Sequence, residues 1–390
     1  MSDCARGNAR SLRAGMLCLI LTSLLLFSGC ATAPLGAARA SFYRGDFEKA
    51  ELALAAIPGG DTDRLLVQME RGMIRQARHE YDASIKDWLE AAALGEKLDY
   101  YSLTRGTASF AANDRVMAFR GAPYERTLMR AFTAKNYLAL SMWDDAAVEA
   151  RNIIARLENL YGFPDDAYCH YLAGVCLELA GDSEGAAFQY RYLSKAMPGL
   201  TIGERTGSIA PAAASPSPEP NAPKTASELV CFVSIGRIPV VGQPGAGVAF
   251  GRVAPYAEIY SHDTYLGRTY PFSNTGRLVA ETQKRLAALK LLKTTTRIAA
   301  KEAVSEAVSQ KNELLGEILR LILFALEAPD TRQWQTLPEW LEIGRMTCPD
   351  DLKSLRVVFK DGAGRAVKET MVGEPLTRRG KTFVSFCRDL

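Results

Sequence analysis

Helices in this chain come in pairs, and the pairs repeat. The clearest copy has Ala173 and Gly174, then Leu177, Gly181 and Asp182, Ala186, Tyr190, Leu193 and Pro198. Apolar residues three and four apart on either side of the Gly-Asp step mark two amphipathic helices. Gly174 and Ala186 let them approach closely, Gly181 and Asp182 turn the chain, and Pro198 stops the second. One such pair cannot bury its apolar stripe alone, so a chain carrying several must stack them.

Three weaker copies precede it. Gly45, Asp46, Phe47, Ala50 and Leu54 form one; Tyr81, Ser84, Trp88 and Ala91 a second; Tyr137, Trp143, Ala146 and Ile153 a third. The small residues Ala50, Ser84, Ala146 and Ala186 are separated by 34, 62 and 40 positions. These spacings resemble the tetratricopeptide repeat, whose period is about 34 residues. The long middle interval implies an insertion or a degenerate extra pair between Tyr100 and Gly121. An α-helical repeat domain is expected over residues 30–204.

Composition then changes abruptly. Residues 205–228 are rich in Ala, Ser and Pro, including Pro211, Pro216, Pro218, Pro220 and Pro223, and read as an extended linker. Residues 229–390 follow a different grammar. LVCFVSIG from Leu229 and YAEIYS from Tyr256 read as strands, a long helix is expected from about Arg277 to Leu326, and four strand-like segments with Gly, Asp and Pro turns run from Leu341 to the end. The expected fold class is α+β: a tetratricopeptide-like α-solenoid followed by a domain of antiparallel strands with a long helix.

The first 29 residues read as an address. Arg6, Arg10 and Arg13 precede an apolar run from Met16 to Phe27, then Ser28 and Gly29 stand before Cys30. Twelve residues are too few to span a bilayer, which takes about 20, so this is a signal peptide. LLLFSGC resembles the bacterial lipobox, with Phe27 where Leu is usual; the resemblance implies lipid on Cys30 and cleavage just before it. Ala31, instead of Asp, implies the periplasmic face of the outer membrane. Of the cysteines beyond Cys30, Cys169 and Cys176 lie seven apart on a helix, about 10 Å along its axis and too far for one bridge, whereas Cys348 and Cys387 fall in strands and are the candidate disulfide.

Several chemistries are excluded. A net charge of +3 over 390 residues supplies no electrostatic footprint for nucleic acid. Gly380-Lys381-Thr382 lacks the P-loop's earlier glycine, since Pro375 stands there, and leaves only a strand's length of chain; the cluster Gly242, Gly245, Gly247 and Gly251 lacks dinucleotide-fold spacing. With three histidines, His79, His170 and His262, there is no metal centre to build, and no serine sits in a nucleophile elbow that His262 and Asp263 could serve. No cofactor, nucleotide or catalytic residue is expected. The basic run Lys284, Arg285, Lys290, Lys293, Arg297 and Lys301 is either a solvated helix face or a membrane-surface helix. Leu314 to Leu326 carries Glu317 and Arg320 and is no membrane span. In APDTRQWQTLPEW, Asp330 and Arg332 can pair while Trp334 covers a helix-to-sheet junction, or Trp334 meets a ligand.

Taken together, the lipobox, the repeats, the segment GAPYERTLMRAFTAKNYLALSMWDDAAVEARN, the turn from Gly236 to Pro239 and DTRQW with LP resemble a family of uncharacterised bacterial tetratricopeptide-containing envelope lipoproteins. The resemblance implies location and architecture and brings no catalytic residues. The expected function is a lipid-tethered scaffold or adaptor, not an enzyme, that binds another envelope protein in the concave groove of its repeats. Lys135, Tyr168, Tyr171 and Glu178 are the candidate groove residues, or else they pack on the neighbouring helix pair. The alternative is a cell-wall glycan-binding or glycan-processing protein acting through Trp334 or Trp340 of the C-terminal domain. Cys30→Ser is expected to abolish metabolic labelling with palmitate and to leave the signal peptide uncleaved, read by mass spectrometry of the purified chain.

Overall fold

The computed structural model describes residues 32–57, 60, 62–104, 118–160, 162–212, 226–241, 253–288, 331–373 and 376–390. Cys30 and the signal peptide, the Gly242–Gly251 cluster, the basic run from Lys290 onward, Leu314–Leu326 and Asp330 lie outside them. The chain forms two compact units, residues 1–60 and 61–390. The first holds α1 (Thr32–Phe42) and α2 (Phe47–Ala55); the second holds α3 (Arg64–Ala77), α4 (Tyr81–Thr104), α5 (Pro123–Ala139), α6 (Trp143–Glu158), α7 (Ala167–Ala180) and α8 (Ser183–Ala196).

One turn joins the members of every pair. Gly45, His79, Ser141 and Gly181 all adopt positive φ (79°, 63°, 60° and 95°), and each stands five residues before its pair's small residue, Ala50, Ser84, Ala146 or Ala186. The hydrogen bonds repeat with it. In each turn this residue's N–H bonds the carbonyl three back, and the next N–H bonds the carbonyl five before itself, as Gly181 to Glu178 and Asp182 to Leu177. This is a left-handed helix cap that reverses the chain in four residues or fewer.

Close packing inside the pairs repeats too. A Cβ on Gly174 would lie 2.7 Å from the Tyr190 ring, and one on Gly72 would lie 2.3 Å from the Trp88 indole. Both glycines stand sixteen residues before their ring, and in the intervening pair two fully buried alanines, Ala134 and Ala150, occupy the corresponding places. Ser84 donates to the Gly72 carbonyl at 2.6 Å, and the Trp88 indole N–H donates to the Met69 carbonyl at 3.1 Å.

After α8 the chain makes a small hairpin, β1 (Leu200–Ile202) with β2 (Ile209–Pro211). The expected linker, 205–228, is therefore partly built into the fold: β2 lies within it and β3 begins at Ser227. Nine more strands form two sheets packed face to face: β3 (Ser227–Ile235), β4 (Tyr256–Ser261), β5 (Thr264–Arg268), β6 (Tyr270–Asn274), β7 (Trp340–Cys348), β8 (Leu355–Lys360), β9 (Ala366–Val372), β10 (Thr377–Arg379) and β11 (Thr382–Arg388). One sheet runs β10-β11-β3-β7-β6 and the other β5-β4-β8-β9. The sheet expected from Leu341 onward is thus larger and draws in β3 to β6. It is also not wholly antiparallel, because the last strand, β11, runs parallel to β3. Residues 275–288 form α9, capped by the Asn274 carboxamide, which accepts from the Arg277 N–H at 2.8 Å.

Strand β3 is buried almost throughout because it is covered on both faces. Leu229, Cys231, Val233 and Ile235 enter the core between the sheets, beside Ala257, Ile259, Val357, Phe359 and Phe383. Phe232, on the opposite face, meets the helices. Residues 61–390 are thereby an outer sheet, an inner sheet and a helical layer.

Gly72→Ala and Gly174→Ala are each expected to lower stability by about 1–3 kcal/mol, because an aromatic ring occupies the Cβ position. Ser141→Gly is expected to raise it by up to about 1 kcal/mol by relieving positive φ. Urea unfolding checks both.

Candidate functional site

The face of the helices that would form the groove is turned onto the inner sheet. Helix α7 starts at Asp166, whose carboxylate accepts from the Cys169 N–H at 3.1 Å and from the Ser273 hydroxyl at 2.6 Å, so one cap ties the helix to β6. Tyr168 packs edge-on against Phe232 with ring centroids 5.9 Å apart. Tyr171 packs on Tyr190 and Phe272 and donates to the Gly207 carbonyl. Glu178 accepts from Arg345 of β7 at 2.7 Å, and Arg345 also donates to Glu228 at 2.8 Å, while the Tyr190 hydroxyl donates to Glu178 at 2.7 Å. Lys135 of α5 stands 4.8 Å from the Phe132 ring and 5.4 Å from that of Phe386 in β11.

The expectation that Lys135, Tyr168, Tyr171 and Glu178 line an open groove is thus corrected: the chain's own sheet covers them. The cause is the double burial of β3 and β7. On β7, Leu341, Ile343 and Arg345 share one parity, so the sheet face turned to the helices carries a charge. Arg345, with its side chain 2% exposed, has to find Glu178 and Glu228 there. That arginine at an apolar strand position was the signal the sequence offered.

Across α3 to α5 the same face holds a non-helical piece of chain, residues 332–337, that turns at Gln335 and Thr336. Trp334 is fully buried between Trp88 and Phe132, with centroids 5.9 and 6.0 Å away, and its indole N–H donates to Thr336 at 2.9 Å. Its backbone N–H donates to Glu125 at 2.7 Å, and the N–H groups of Gln335 and Thr336 donate to Glu70 at 3.0 and 3.3 Å. Arg332 pairs with Asp63 at 2.8 Å. Trp334 therefore locks a junction and is no exposed platform, while Trp340 is half-buried against the sandwich core. Glu70 and Glu125, which sequence reasoning passed over, receive this segment much as a repeat groove receives a peptide. Their signal was a carboxylate inside an otherwise apolar helical stripe.

The candidate disulfide does not form. Cys348 pairs in register with Ser227 and Cys387 with Val233, six residues apart along β3, so about 20 Å and an intervening strand separate them. Cys169, Cys176, Cys231, Cys348 and Cys387 are all free, and burial pushes their thiols up. His262 and Asp263 form an exposed turn, and Gly380 with Lys381 form the turn between β10 and β11. His79 occupies the repeat turn. His170 bridges Gln189 at 2.7 Å and Asp165 at 3.1 Å, and these hydrogen bonds outweigh burial and raise its pKa. Among the described residues no cluster of His, Cys, Asp and Glu could hold a metal ion, and no helix is long and apolar enough to cross a membrane.

Burial and the neighbouring Arg388 bring the Lys135 pKa down to about 7. Its unfolded value is about 10.4, so the folded state gives up this proton first and stability rises as pH climbs from about 7 toward 10.4. Lys135→Met is expected to remove that slope and to stabilise the protein at pH 7 by roughly 2–4 kcal/mol, measured by urea unfolding between pH 7 and 10.

No protein-family profile matches the chain, and no curated protein is similar to it. Among solved structures it is similar to the MamA RS-1 ArsTM double mutant, with 12% identity over 43% of this chain and 75% of that one and a TM-score of 0.31. It is also similar to the Rap conjugation gene regulator of plasmid pLS20 in complex with the Phr* peptide, with 18% identity over 42% and 41% and a TM-score of 0.29. MamA MSR-1 C2 overlaps 42% of this chain and 95% of its own, with 11% identity and a TM-score of 0.19. Superpositions this partial say nothing about what this chain binds.

Proposed function

We propose that the protein is a non-enzymatic scaffold, tethered through lipid on Cys30 to the periplasmic face of the outer membrane, that binds another envelope protein through its tetratricopeptide-like solenoid. The binding surface in this reading is the outward side of the second helices, because the inner side is filled by the chain's own sheet and by residues 332–337. The observation that carries it is a repeated one: Val148 and Phe188 each stand two residues after the small residue of their pair, Ala146 and Ala186, and are 53% and 61% exposed. Apolar residues at equivalent positions of adjacent pairs suit a partner laid across them. Photo-crosslinkers at Val148 and Phe188 in living cells are expected to capture one dominant envelope protein, while crosslinkers at the covered Lys135 and Tyr171 capture none. Capture from the covered positions alone would overturn the assignment of this surface.

A second reading, in which the C-terminal domain binds cell-wall glycan, finds support away from Trp334 and Trp340. The outer face of the four-stranded sheet carries Tyr256 and Tyr260 of β4, each under an arginine, and Tyr265 of β5, edge-on to Tyr260.

A further inference from the structure

Strand β4 alternates strictly: Ala257 and Ile259 enter the sandwich core, and Tyr256, Glu258 and Tyr260 stand on the other face. The register places Arg268 directly opposite Glu258. A cross-strand ion pair would be the ordinary outcome. Instead Glu258 turns to Lys360 at 3.3 Å and accepts from the Tyr260 hydroxyl at 3.0 Å. The Arg268 guanidinium lies 3.7 Å from the centre of the Tyr256 ring and 5.3 Å from that of Tyr270, and its Nε donates to the Thr269 carbonyl at 3.3 Å. Among the described residues no carboxylate comes within ion-pairing distance of its terminal nitrogens.

Arg268 favours the ionisation of Glu342, which is fully buried behind the sheet and bound by the Thr269 hydroxyl. Burial raises its pKa to about 8, which weakens it as a counter-charge to Arg268. A second stack stands beside the first: Arg356 lies 4.2 Å over the Tyr260 ring, and Tyr265, 52% exposed, meets Tyr260 edge-on at 5.4 Å.

A guanidinium fixed on a ring has already given up its rotamer freedom, and its two terminal nitrogens present the parallel donors that match a carboxylate. Tyr265, exposed beside the two stacks, offers an apolar ring face and a hydroxyl together, the mixture that suits a pyranose with its C–H face and hydroxyl edge. We propose that the outer face of the four-stranded sheet is a saccharide-binding site in which Arg268, seated on Tyr256, receives a carboxylate of the peptide stem carried by a cell-wall glycan and Tyr265 holds the adjoining sugar. This rests on the glycan reading and names its residues.

The test uses the full mature chain. Sedimentation with purified peptidoglycan sacculi probes the reading, and calorimetric titration probes the site with a soluble disaccharide-tetrapeptide muropeptide, the free tetrapeptide and N-acetylglucosamine tetrasaccharide. The expected result is co-sedimentation, with the muropeptide bound more tightly than either other probe. Arg268→Met and Arg268→Lys should each weaken muropeptide binding by about tenfold or more, because Lys keeps the charge and loses the fork. Tyr256→Leu should weaken it as well, with thermal melts confirming that each variant folds. Wild-type affinity in the folded Arg268 variants, while sacculi are still bound, would overturn the site and leave the glycan reading standing. Equal affinity for the free tetrapeptide would overturn the saccharide assignment. Failure of the wild type to bind sacculi or muropeptide would overturn site and reading together.

Discussion

Double burial of the inner sheet is the constraint on which the other features of residues 61–390 depend. A strand covered on both faces must be apolar at every position or pair its exceptions. Strand β3 is apolar from Leu229 to Val233 and pairs its charged exception, Glu228, with the charged exception of β7, Arg345. Two carboxylates from different parts of the chain, Glu178 of α7 and Glu228 of β3, converge on that guanidinium, with the Tyr190 hydroxyl bound to one of them. Such a network adds little net stability over an apolar substitute, yet losing one partner strands a buried charge, commonly at about 3–5 kcal/mol. It thus specifies how helices meet sheet more than it strengthens the meeting.

The same logic explains residues 332–337. An irregular segment crossing a helical face leaves backbone N–H groups that need acceptors, which helices do not offer from their main chain. Glu70 and Glu125 supply them, and Trp334 fills the space between Trp88 and Phe132. A groove shape that in a free repeat array would await a partner is here completed by the chain itself. Among the described residues, the opposite side of the second helices and the outer face of the outer sheet stay open, where Val148, Phe188 and the tyrosine-arginine stacks reside.

The repeat was legible because its parts are local. Gly181-Asp182 announces a turn and Gly174 a close approach, and both hold within a single helix pair. His79 and Ser141 hid two copies of that turn, since neither residue advertises positive φ, and Gly72 went unread because His79-Glu80 stands after it where Gly181-Asp182 follows Gly174. Strands β3 and β4 declared themselves by β-branched and aromatic content. Strands β5 and β6 did not: Gly267 and Pro271 interrupt them, and pairing with β4 and β7 decides their conformation.

The residues chosen for a groove show where local information ends. Helical periodicity identified Lys135, Tyr168, Tyr171 and Glu178 as one face of the repeats, and that assignment depends only on 3.6 residues per turn. Whether the face meets solvent, a partner or the chain's own sheet depends on contacts across the five prolines that follow α8, such as Glu178 with Arg345, 167 positions apart. The disulfide shows the same limit, since spacing placed Cys348 and Cys387 in strands but only strand order put β3 between them. The sequence by itself determined the helix pairs, their turns and the strand character of the C-terminal half, because each is set by interactions a few residues apart. The tertiary structure alone decided which faces are covered, because burial is a property of what packs from elsewhere in the chain.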